Sequence, residues 1–441
     1  MSTTTTPAVA PPPPTTPPTM RAWTYTRRGP VASVLHLTPA HPTPTLSPST
    51  PNILIRITHA SLTPSIGHLI PLLPFLRPGG PHPSIPELSF TGTVAASTAL
   101  TPPHLSHPGT RVFGTLPPSA SLLRGAGTLA EYVVAPPASV GVCPPGLAPE
   151  HAAGLDGNGQ TALLMCRRAG VGGGGRVFVN GATGGVGTMV VQMAKQVFGA
   201  AEVVATASGE DGFALVRGLG ADRVVDHREV EESGRGGGRG RKGDGVAGWL
   251  AEEYGRGGDG GKFDAVLDCV GVQVLFERSP EYLKEAGVFI SVGAMEGIPR
   301  TLFWNVPVNY WWPKVLGGTP RKFIFQQTPT TAELREELVK LVQEGKLRRV
   351  VDSVFDMEDV LGVSGAPLFK RVDCTGAMRR DKLICMYRLT NESLANGQEG
   401  KSSSRCKMGR CLIQTLLCGL SELWGSAPCG PIAASDMSIH E

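Results

Sequence analysis

A strand, a glycine-dense turn and a helix follow one another from Arg176 to Phe198, and this arrangement limits the possible folds more than any other stretch. The run Arg176-Val-Phe-Val-Asn180 is apolar and β-branched, and Ala182-Thr-Gly-Gly-Val-Gly187 follows it. A second apolar run, Val203-Val-Ala205, comes after the helix. Glycines in such a turn let the backbone approach a pyrophosphate, to which the helix N-terminus offers free N–H groups. The order is therefore typical of the first half of a dinucleotide-binding unit.

Short apolar runs continue the pattern after that unit. Residues 220–226, 263–271 and 287–293 each contain one, and helical or loop segments separate them. Continuously apolar strands of this length predict a parallel sheet that is buried on both faces. The glycine pattern alone is a weak signal, because Ala182 stands where the fingerprint has its first glycine. A plain strand-to-helix turn is the alternative.

The N-terminal part of the chain, from residue 21 to about 150, has the features of a mostly β domain. Strand-like runs lie at 53–57, 90–94, 111–113 and 130–134, with prolines and glycines between them. This spacing predicts a small barrel or sandwich with many turns. Residues 151–169 are predicted to be helical. Residues 331–344 are predicted to form an amphipathic helix that Thr330 or Thr331 can cap.

Composition narrows the classes of protein that fit. A chain of 441 residues can hold two or three domains, and its net charge of +4 predicts no strong polyanionic partner. No apolar run approaches the roughly 18 residues that span a bilayer. Residues 1–19 are rich in Thr and Pro, lack the features of a secretory signal or transit peptide, and are predicted to be a disordered tail.

Cysteine usage favours a reducing compartment. The three cysteines before residue 374 fit neither a disulfide frame nor a zinc site. A cytoplasmic location is therefore expected, and a mitochondrial one is the less favoured alternative.

Two segments depart from the pattern of strands and helices. Residues 233–261 contain Gly234-Arg-Gly-Gly-Gly-Arg-Gly-Arg-Lys242, which is interpreted as a solvated loop insertion. An RNA-binding tract is the alternative, since arginine–glycine runs bind single strands. Residues 373–441 have little periodicity and hold six of the nine cysteines.

A series of short motifs runs along residues 20–360 in a fixed order. They are Ala60-Ser-Leu-Thr-Pro64, Phe90-Thr-Gly92, Gly109-Thr-Arg-Val-Phe-Gly114, Gly127-Thr-Leu-Ala-Glu-Tyr132, Asn180-Gly-Ala-Thr-Gly-Gly-Val-Gly187, Asp268-Cys-Val-Gly271 and Glu344-Gly-Lys-Leu347. In kind and order this set resembles the medium-chain dehydrogenase/reductase superfamily. The branch it is most similar to is that of the zinc-independent quinone oxidoreductases, the zeta-crystallin-like enzymes and their fungal relatives.

The resemblance implies an α/β protein with two domains. A GroES-like, mostly β catalytic domain would comprise residues 20–150, completed by about 321–372. A Rossmann NAD(P)-binding domain, with a doubly wound parallel sheet, would comprise 151–320 and include the insertion. The active site is expected in the cleft between them. Family members end with a closing strand that we do not find here, so residues 373–441 are interpreted as a gene-model artefact or as a genuine cysteine-rich extension.

Zinc-dependent members of the superfamily hold their metal with Cys and His side chains near the first two motifs. Residues 62–67 and 87–90 of this chain offer no such soft ligands, and we expect no zinc site. The lone His59 and His68 are interpreted as polar surface groups.

The cofactor that the resemblance implies is a nicotinamide dinucleotide. NAD-binding proteins place Asp or Glu at the end of the second strand, whereas residues 205–208 here are small and leave room for a 2′-phosphate. NADP(H) is therefore favoured over NAD(H). Glu210 and Asp211 would repel a phosphate if they faced it, and Arg217 and Arg228 could offset them. The residues expected to bind the cofactor are Thr161, Ala182, Thr183, Gly184, Gly185, Val186, Gly187, Ser208, Val270, Gly271 and Gly293.

Catalysis in the zinc-free branch relies on positioning and a dry cleft, so no catalytic dyad is expected. Thr63 and Tyr25 are the candidates for contacts with the substrate. Thr63 replaces the family asparagine, while Ile66 and Ser89 replace family acidic residues, which puts the usual polar contacts in doubt. Four aromatic residues are interpreted either as lining of the cleft or as ordinary packing: Trp304, Tyr310, Trp311 and Trp312.

The leading hypothesis is an NADPH-dependent oxidoreductase that passes hydride to a small-molecule quinone or α,β-unsaturated carbonyl compound. A trans-acting enoyl reductase of secondary metabolism, with a carrier-bound substrate, is one alternative. A non-catalytic nucleotide- or RNA-binding scaffold is another. Neither a membrane nor a nucleic acid is expected as a partner, and a homodimer is expected from the resemblance alone.

Overall fold

The computed structural model describes residues 16–63, 70, 83–232, 244–256, 258–327, 330–361 and 385–388, the last of these by backbone alone. The strands are β1 (Thr19–Thr24), β2 (His36–Pro42), β3 (Ile53–Ser61), β4 (Ser89–Ser97), β5 (Arg111–Thr115), β6 (Tyr132–Ala135), β7 (Val140–Val142), β8 (Arg176–Asn180), β9 (Glu202–Ala207), β10 (Arg223–Asp226), β11 (Phe263–Asp268), β12 (Leu283–Ser291), β13 (Lys322–Phe325), β14 (Ser353–Asp356) and β15 (Cys385–Arg388).

Helices connect most of the later strands. They are α1 (Val31–Val34), α2 (Pro118–Arg124), α3 (Pro149–Ala153), α4 (Leu155–Arg168), α5 (Gly187–Gln192, continued as a π-helix over Met193–Val197), α6 (Gly209–Gly218), α7 (His227–Glu232), α8 (Gly245–Tyr254), α9 (Gln273–Glu277), α10 (Ser279–Tyr282), α11 (Ile298–Arg300, continued as a π-helix over Thr301–Asn305), α12 (Val306–Trp311) and α13 (Ala332–Gln343). In the described ranges, no helix combines the length and apolar character needed to cross a membrane.

The six-stranded sheet is parallel throughout, in the order β10-β9-β8-β11-β12-β13. Alternate residues of its strands enter two different apolar clusters: Val177 and Val179 lie in one, and Phe178 lies in the other. The sheet is therefore buried on both faces, as the apolar runs predicted. The strand order reverses between β8 and β11, and the carboxyl ends of strands at such a point form a ligand-binding crevice.

Two expected boundaries of the Rossmann domain differ from the structure. Strand β13 pairs with β12, so the parallel sheet continues to Phe325 rather than ending near residue 320. Residues 245–254 form helix α8, although the whole range 233–261 was expected to be a loop insertion. Ala247, Leu250 and Tyr254 are buried on this helix and bind it to the core. Residues 233–243, which include the whole glycine–arginine run, lie outside the described residues.

The remaining strands form the mostly β domain that the sequence predicted. A seven-stranded sheet has the order β14-β15-β3-β4-β5-β7, and β6 pairs with the first half of β3. Its pairings are antiparallel except between β14 and β15. Strands β1 and β2 form a separate antiparallel ribbon. Side chains from these strands surround one apolar cluster that includes Ile53, Ile55, Phe90 and Val133.

Strand β15 corrects the interpretation of the tail. No closing strand was found in the sequence, and the catalytic domain was expected to end near residue 372. In the structure, Met386 and Tyr387 pair with the second half of β3, while the same strand pairs with β14 on its other side. The segment Cys385-Met-Tyr-Arg388 is short and lacks a clear alternation of apolar and polar residues, so its sequence does not predict a strand. The rest of residues 362–441 lies outside the described residues.

Helices α4 and α13 join the two domains through a buried ion pair. The Arg335 guanidinium donates to the Asp156 carboxylate, with a shortest N–O distance of 3.0 Å, and the two side chains are 3% and 0% exposed. Arg335 also donates to the carbonyls of Ala138 and Val140 in the mostly β domain. Burial raises the pKa of Asp156, and the Arg335 charge opposes that rise. Thr331, rather than Thr330, caps α13 by accepting from the Leu334 N–H.

Replacing Arg335 by Met is expected to lower the free energy of unfolding by about 3–5 kcal/mol, because Asp156 would remain buried without a counter-charge. Urea unfolding at pH 7 measures this loss. Protonation neutralises Asp156 at acid pH, so the loss should shrink as the pH falls.

The exposed pair Arg167–Glu337 joins the same two helices and serves as the matched control. Glu337→Gln should cost less than about 1 kcal/mol, because water already screens that pair. An equal decrease in the free energy of unfolding of the two variants would show that burial does not increase the contribution of the Asp156–Arg335 pair.

Candidate functional site

The glycine-rich turn lies between β8 and α5, at the carboxyl edge of the parallel sheet. Gly181 has a φ of 75°, which a glycine adopts without strain. A Cβ on Gly187 would lie 2.1 Å from the Gly181 carbonyl oxygen, so only glycine lets the helix start so close to the strand. The turn is therefore a compact cradle at the end of β8, with the N-terminus of α5 facing the crevice.

A chain of hydrogen bonds fixes the strand ends around this turn. Thr206 donates from its hydroxyl to the Asn180 side-chain oxygen at 3.0 Å, and Asn180 donates from its amide to Asp268 at 3.0 Å. Asp268 also accepts from the backbone N–H groups of Val270 and Gly271, both at 3.0 Å. Burial raises the pKa of Asp268, and these N–H donors oppose the rise. The network locks β8, β9 and β11 together where a ligand would lie.

A cavity of about 160 Å³ opens beside these strand ends. Two of the predicted cofactor residues, Thr183 and Val270, line it. His227 lines it as well, held in place by a contact of 3.1 Å between its Nδ1 and the Ala207 carbonyl oxygen. Glu231 and Asp244 supply acidic groups on the far wall. Apolar side chains make up most of the remaining lining.

The other predicted cofactor residues belong to the turn or to strands and helices next to it. Gly271 and Gly293 touch so closely that a Cβ on Gly271 would lie 2.3 Å from the Gly293 carbonyl. Ser208 immediately precedes α6, at the end of β9. Thr161 lies on α4 and donates from its hydroxyl to the Gly157 carbonyl at 2.8 Å. The turn residues complete the set: Ala182, Gly184, Gly185, Val186 and Gly187.

Arg349 braces the turn from the interior and was not predicted. Its Nη1 donates to the Gly185 carbonyl at 2.9 Å, and the side chain lies against Gly154 at the start of α4. Within the described part of the chain its Nε and Nη2 have no hydrogen-bond partner. Burial lowers the pKa of Arg349 to about 9. A cation thus lies beside the N-termini of two helices, where the local field already favours an anion.

The two candidates for substrate contact have different surroundings. Tyr25 is 2% exposed and belongs to the apolar core of the mostly β domain. Thr63 lies two residues after the end of β3, and its N–H and hydroxyl both donate to the carboxylate of Glu87. Ser89, which stands at a family acidic position, contacts the Thr115 hydroxyl at 3.1 Å. Ile66 and His68 lie outside the described residues.

The aromatic residues before β13 lie on the surface. Trp304, Trp311 and Trp312 are more than half exposed. Tyr310 packs on Phe323, and its hydroxyl accepts from the Phe325 N–H at 2.9 Å. In the described structure none of the four lines the cavity beside the turn.

The donor set of the described residues does not fit a metal ion. No group of three or more His, Cys, Asp or Glu side chains comes together in that part of the chain. Burial also raises the pKa of the Cys166 thiol to about 12, so it is not a thiolate at neutral pH. His59, expected on the surface, is buried on β3.

Comparisons with known proteins agree with this geometry. A profile of the zinc-binding dehydrogenase family matches residues 185–312. The medium chain reductase pydE of Acremonium sp is 35% identical over 370 residues, which cover 78% of this chain and 94% of pydE. The trans-enoyl reductase poxH of Penicillium oxalicum is 31% identical over 379 residues, which cover 77% of this chain and 92% of poxH.

Solved structures share the fold. The quinone oxidoreductase from Coxiella burnetii superposes with a TM-score of 0.64 at 24% identity, covering 84% of this chain and 99% of that one. Mycobacterial Rv1454c complexed with NADPH gives a TM-score of 0.57 at 23% identity, covering 78% and 94%. Together with the identity to pydE, the fold and the glycine-rich turn show that the chain belongs to the medium-chain dehydrogenase/reductase superfamily, in its fungal group, and is an oxidoreductase that uses a nicotinamide cofactor.

Proposed function

We propose that this protein reduces α,β-unsaturated carbonyl compounds with NADPH, without a metal. The observation that carries the proposal is the cofactor-type turn at a crevice bordered by a mostly β domain whose described residues offer no metal donor set. Relatives described as a medium chain reductase and trans-enoyl reductases favour reduction of a conjugated double bond over that of a quinone. The likeness to a quinone oxidoreductase supports the fold alone.

The residues of the chain would position the reactants. When bound, the cofactor supplies the hydride. The N–H groups of the turn and the N-terminus of α5 would hold its pyrophosphate, and the Asp268 network would keep those groups at fixed distances. Arg349 would keep the Gly185 peptide oriented. A cleft closed from water strengthens these interactions, and the substrate carbonyl takes up the developing negative charge.

We further propose that NADP(H) is preferred over NAD(H). Ser208 stands at the position where an acidic residue would select NAD, and it precedes the N-terminus of α6. Glu210 and Asp211 are exposed and are not among the residues that line the cavity. The acidic Asp244 in the cavity wall is paired with Arg278 at 2.8 Å, which offsets its repulsion of a phosphate.

A carrier-bound thioester is the second candidate substrate, favoured by the trans-enoyl reductases among the relatives. Homodimer formation and the cytoplasmic location stay predictions. No specific observation favours the RNA-binding scaffold.

Turnover assays distinguish these candidate functions. The full chain should oxidise NADPH in the presence of 3-penten-2-one or of the N-acetylcysteamine thioester of crotonic acid. With NADPH deuterated at C4, mass spectrometry should find the label on the β-carbon of the product. Thioester turnover well above ketone turnover would favour a carrier-bound substrate. Tight NADPH binding without any turnover, including that of 1,4-benzoquinone, would contradict an enzymatic role.

Ser208→Asp is expected to weaken NADPH binding at least tenfold, about 1.4 kcal/mol, because the new carboxylate would repel a 2′-phosphate. The affinity for NADH should stay unchanged or increase. Titration followed by nicotinamide fluorescence measures both, with Ser208→Ala as the uncharged control. An unchanged ratio of the two affinities would mean that the ribose does not lie beside residue 208.

Arg349→Met is expected to raise the dissociation constant for NADPH about tenfold, because the Gly185 carbonyl loses a charged donor. The free energy of unfolding should hold or increase, since a buried charge without a carboxylate is removed. The neighbouring Arg348 is exposed, and Arg348→Met is the matched control. Unaltered NADPH affinity in Arg349→Met would exclude a bracing role.

A further inference from the structure

Glu87 combines unusual backbone geometry with an unusual environment. Its φ of 65° is the only positive φ of a non-glycine residue in the described chain. The side chain is buried, and both hydrogen bonds recorded for its carboxylate come from Thr63. The Thr63 N–H donates to Oε1 at 2.7 Å, and the Thr63 hydroxyl bonds to Oε2 at 3.0 Å. A left-handed backbone at a glutamate is strained, and such strain concentrates at functional sites.

The surrounding loop keeps Glu87 in this conformation. The Thr128 N–H bonds to the carbonyls of both Pro86 and Glu87, at 3.1 and 3.0 Å. Gly127 leaves no space behind the loop, because a Cβ there would lie 2.1 Å from the Ile85 carbonyl oxygen. The strained peptide is therefore clamped from one side, and its carboxylate is directed to the end of β3.

Short contacts connect this loop with the cofactor turn. Two residues after Glu87, Ser89 touches the Thr115 hydroxyl, and a Cβ on Gly157 of α4 would lie 3.1 Å from that same oxygen. The next residue of α4, Asn158, has its amide 2.8 Å from where a Cβ of Gly185 would be. The loop thus borders the interface that leads to the glycine-rich turn.

We propose that Glu87 stores the proton that completes the reduction and delivers it to the substrate through the hydroxyl of Thr63. The inference rests on the proposed reduction of a conjugated carbonyl compound. Thr63 is then the residue that contacts the substrate, and Glu87 is the positioning residue behind it. No metal is needed, since the proton neutralises the charge that hydride transfer places on the carbonyl oxygen.

The step balances as follows. Hydride forms the new C–H bond at the β-carbon, and the π electrons move to give an enolate. The Thr63 O–H breaks as its proton passes to the enolate oxygen, and the Glu87 Oε2–H breaks as its proton restores the Thr63 hydroxyl. The enol then becomes the ketone: a solvent proton forms the new C–H bond at the α-carbon, and the enol O–H bond breaks and returns its proton to solvent. The Glu87 carboxylate, held by the Thr63 N–H and hydroxyl, regains a proton from solvent.

The charge environment is consistent with this role. Burial raises the pKa of Glu87 to about 8, opposed only by the two Thr63 hydrogen bonds, so the carboxyl is protonated at neutral pH. The titratable and charged groups of the packed elements are Arg56 and His59 on β3, Tyr25, which bridges to Ser84, and Glu131 after the clamping segment. Glu131 is neutralised by Arg21, with a shortest N–O distance of 2.9 Å. None of the four is among the causes of the shift.

The test is the pH dependence of kcat with saturating NADPH and 3-penten-2-one. In the wild type, kcat should fall about tenfold per pH unit above about pH 8, as Glu87 loses its proton. Glu87→Gln keeps an oxygen acceptor for the Thr63 N–H but carries no acidic proton. Its kcat at pH 7 should be about 10- to 100-fold lower, and that fall above pH 8 should be absent.

Thr63→Val should lower kcat as much as Glu87→Gln does, whereas Thr63→Ser should retain most of the activity. The double variant, Glu87→Gln with Thr63→Val, should have a kcat no lower than that of either single variant. Glu131→Gln is the matched control and should keep the wild-type profile. The inference is overturned if Glu87→Gln keeps the wild-type decline above pH 8, or if Thr63→Val is fully active. Absence of wild-type turnover would instead be a failure of the proposed function.

Stability gives a readout that needs no cofactor. The carboxyl has a higher pKa folded than unfolded, so the folded state binds the extra proton and the wild type should lose stability as the pH rises from about 4.5 to about 8. The stability of Glu87→Gln should not show this decrease with rising pH. Glu87→Gly relieves the backbone strain, so its Tm should rise at pH 8 while kcat falls. If the stability of Glu87→Gln falls with pH as steeply as that of the wild type, the inference is overturned as well.

Discussion

A carboxylate and a guanidinium that are both closed off from water join the two domains of this oxidoreductase. Asp156 lies in the first turn of α4, the helix that carries Thr161 and that approaches the glycine-rich turn through Asn158. Arg335 belongs to α13 and reaches the carbonyls of the mostly β domain. A buried pair of this kind contributes geometry more than net stability, because desolvation offsets most of the attraction. This one pair of charges therefore connects α4, α13 and the segment at the start of β7.

Around the glycine-rich turn, two buried charged side chains hold backbone groups in place. Asp268 gathers the N–H groups of residues 270–272, and Arg349 fixes the opposite side of the turn through the Gly185 carbonyl. Both charged groups are buried, so their pKa values shift toward the neutral form. These hydrogen bonds preorganise the turn, and preorganisation lowers the entropic cost of binding.

The sequence revealed the parallel sheet and the turn because both depend on local composition: apolar runs for the strands, and glycines for the turn. The cavity lies at the ends of these strands, beside the turn. Arg349 and Glu87 were missed because their importance depends on what packs around them, which residue type and spacing do not encode. Nothing in the stretch Ile85-Pro-Glu-Leu88 shows that Glu87 adopts a positive φ or that its carboxyl is buried. Strand β15 was missed because its short run resembles the tail around it.

The position of β15 has a consequence for how the chain reaches this fold. It lies between β14 and β3, yet it follows β3 by more than three hundred residues of sequence. During synthesis, the second half of β3 therefore presents unpaired N–H and C=O groups on one edge until nearly the whole chain has emerged. Closing so long a loop is slow, and an open strand edge invites pairing with other chains. The yield of folded protein thus depends on whether a chaperone or the chain itself protects that edge until β15 has been made.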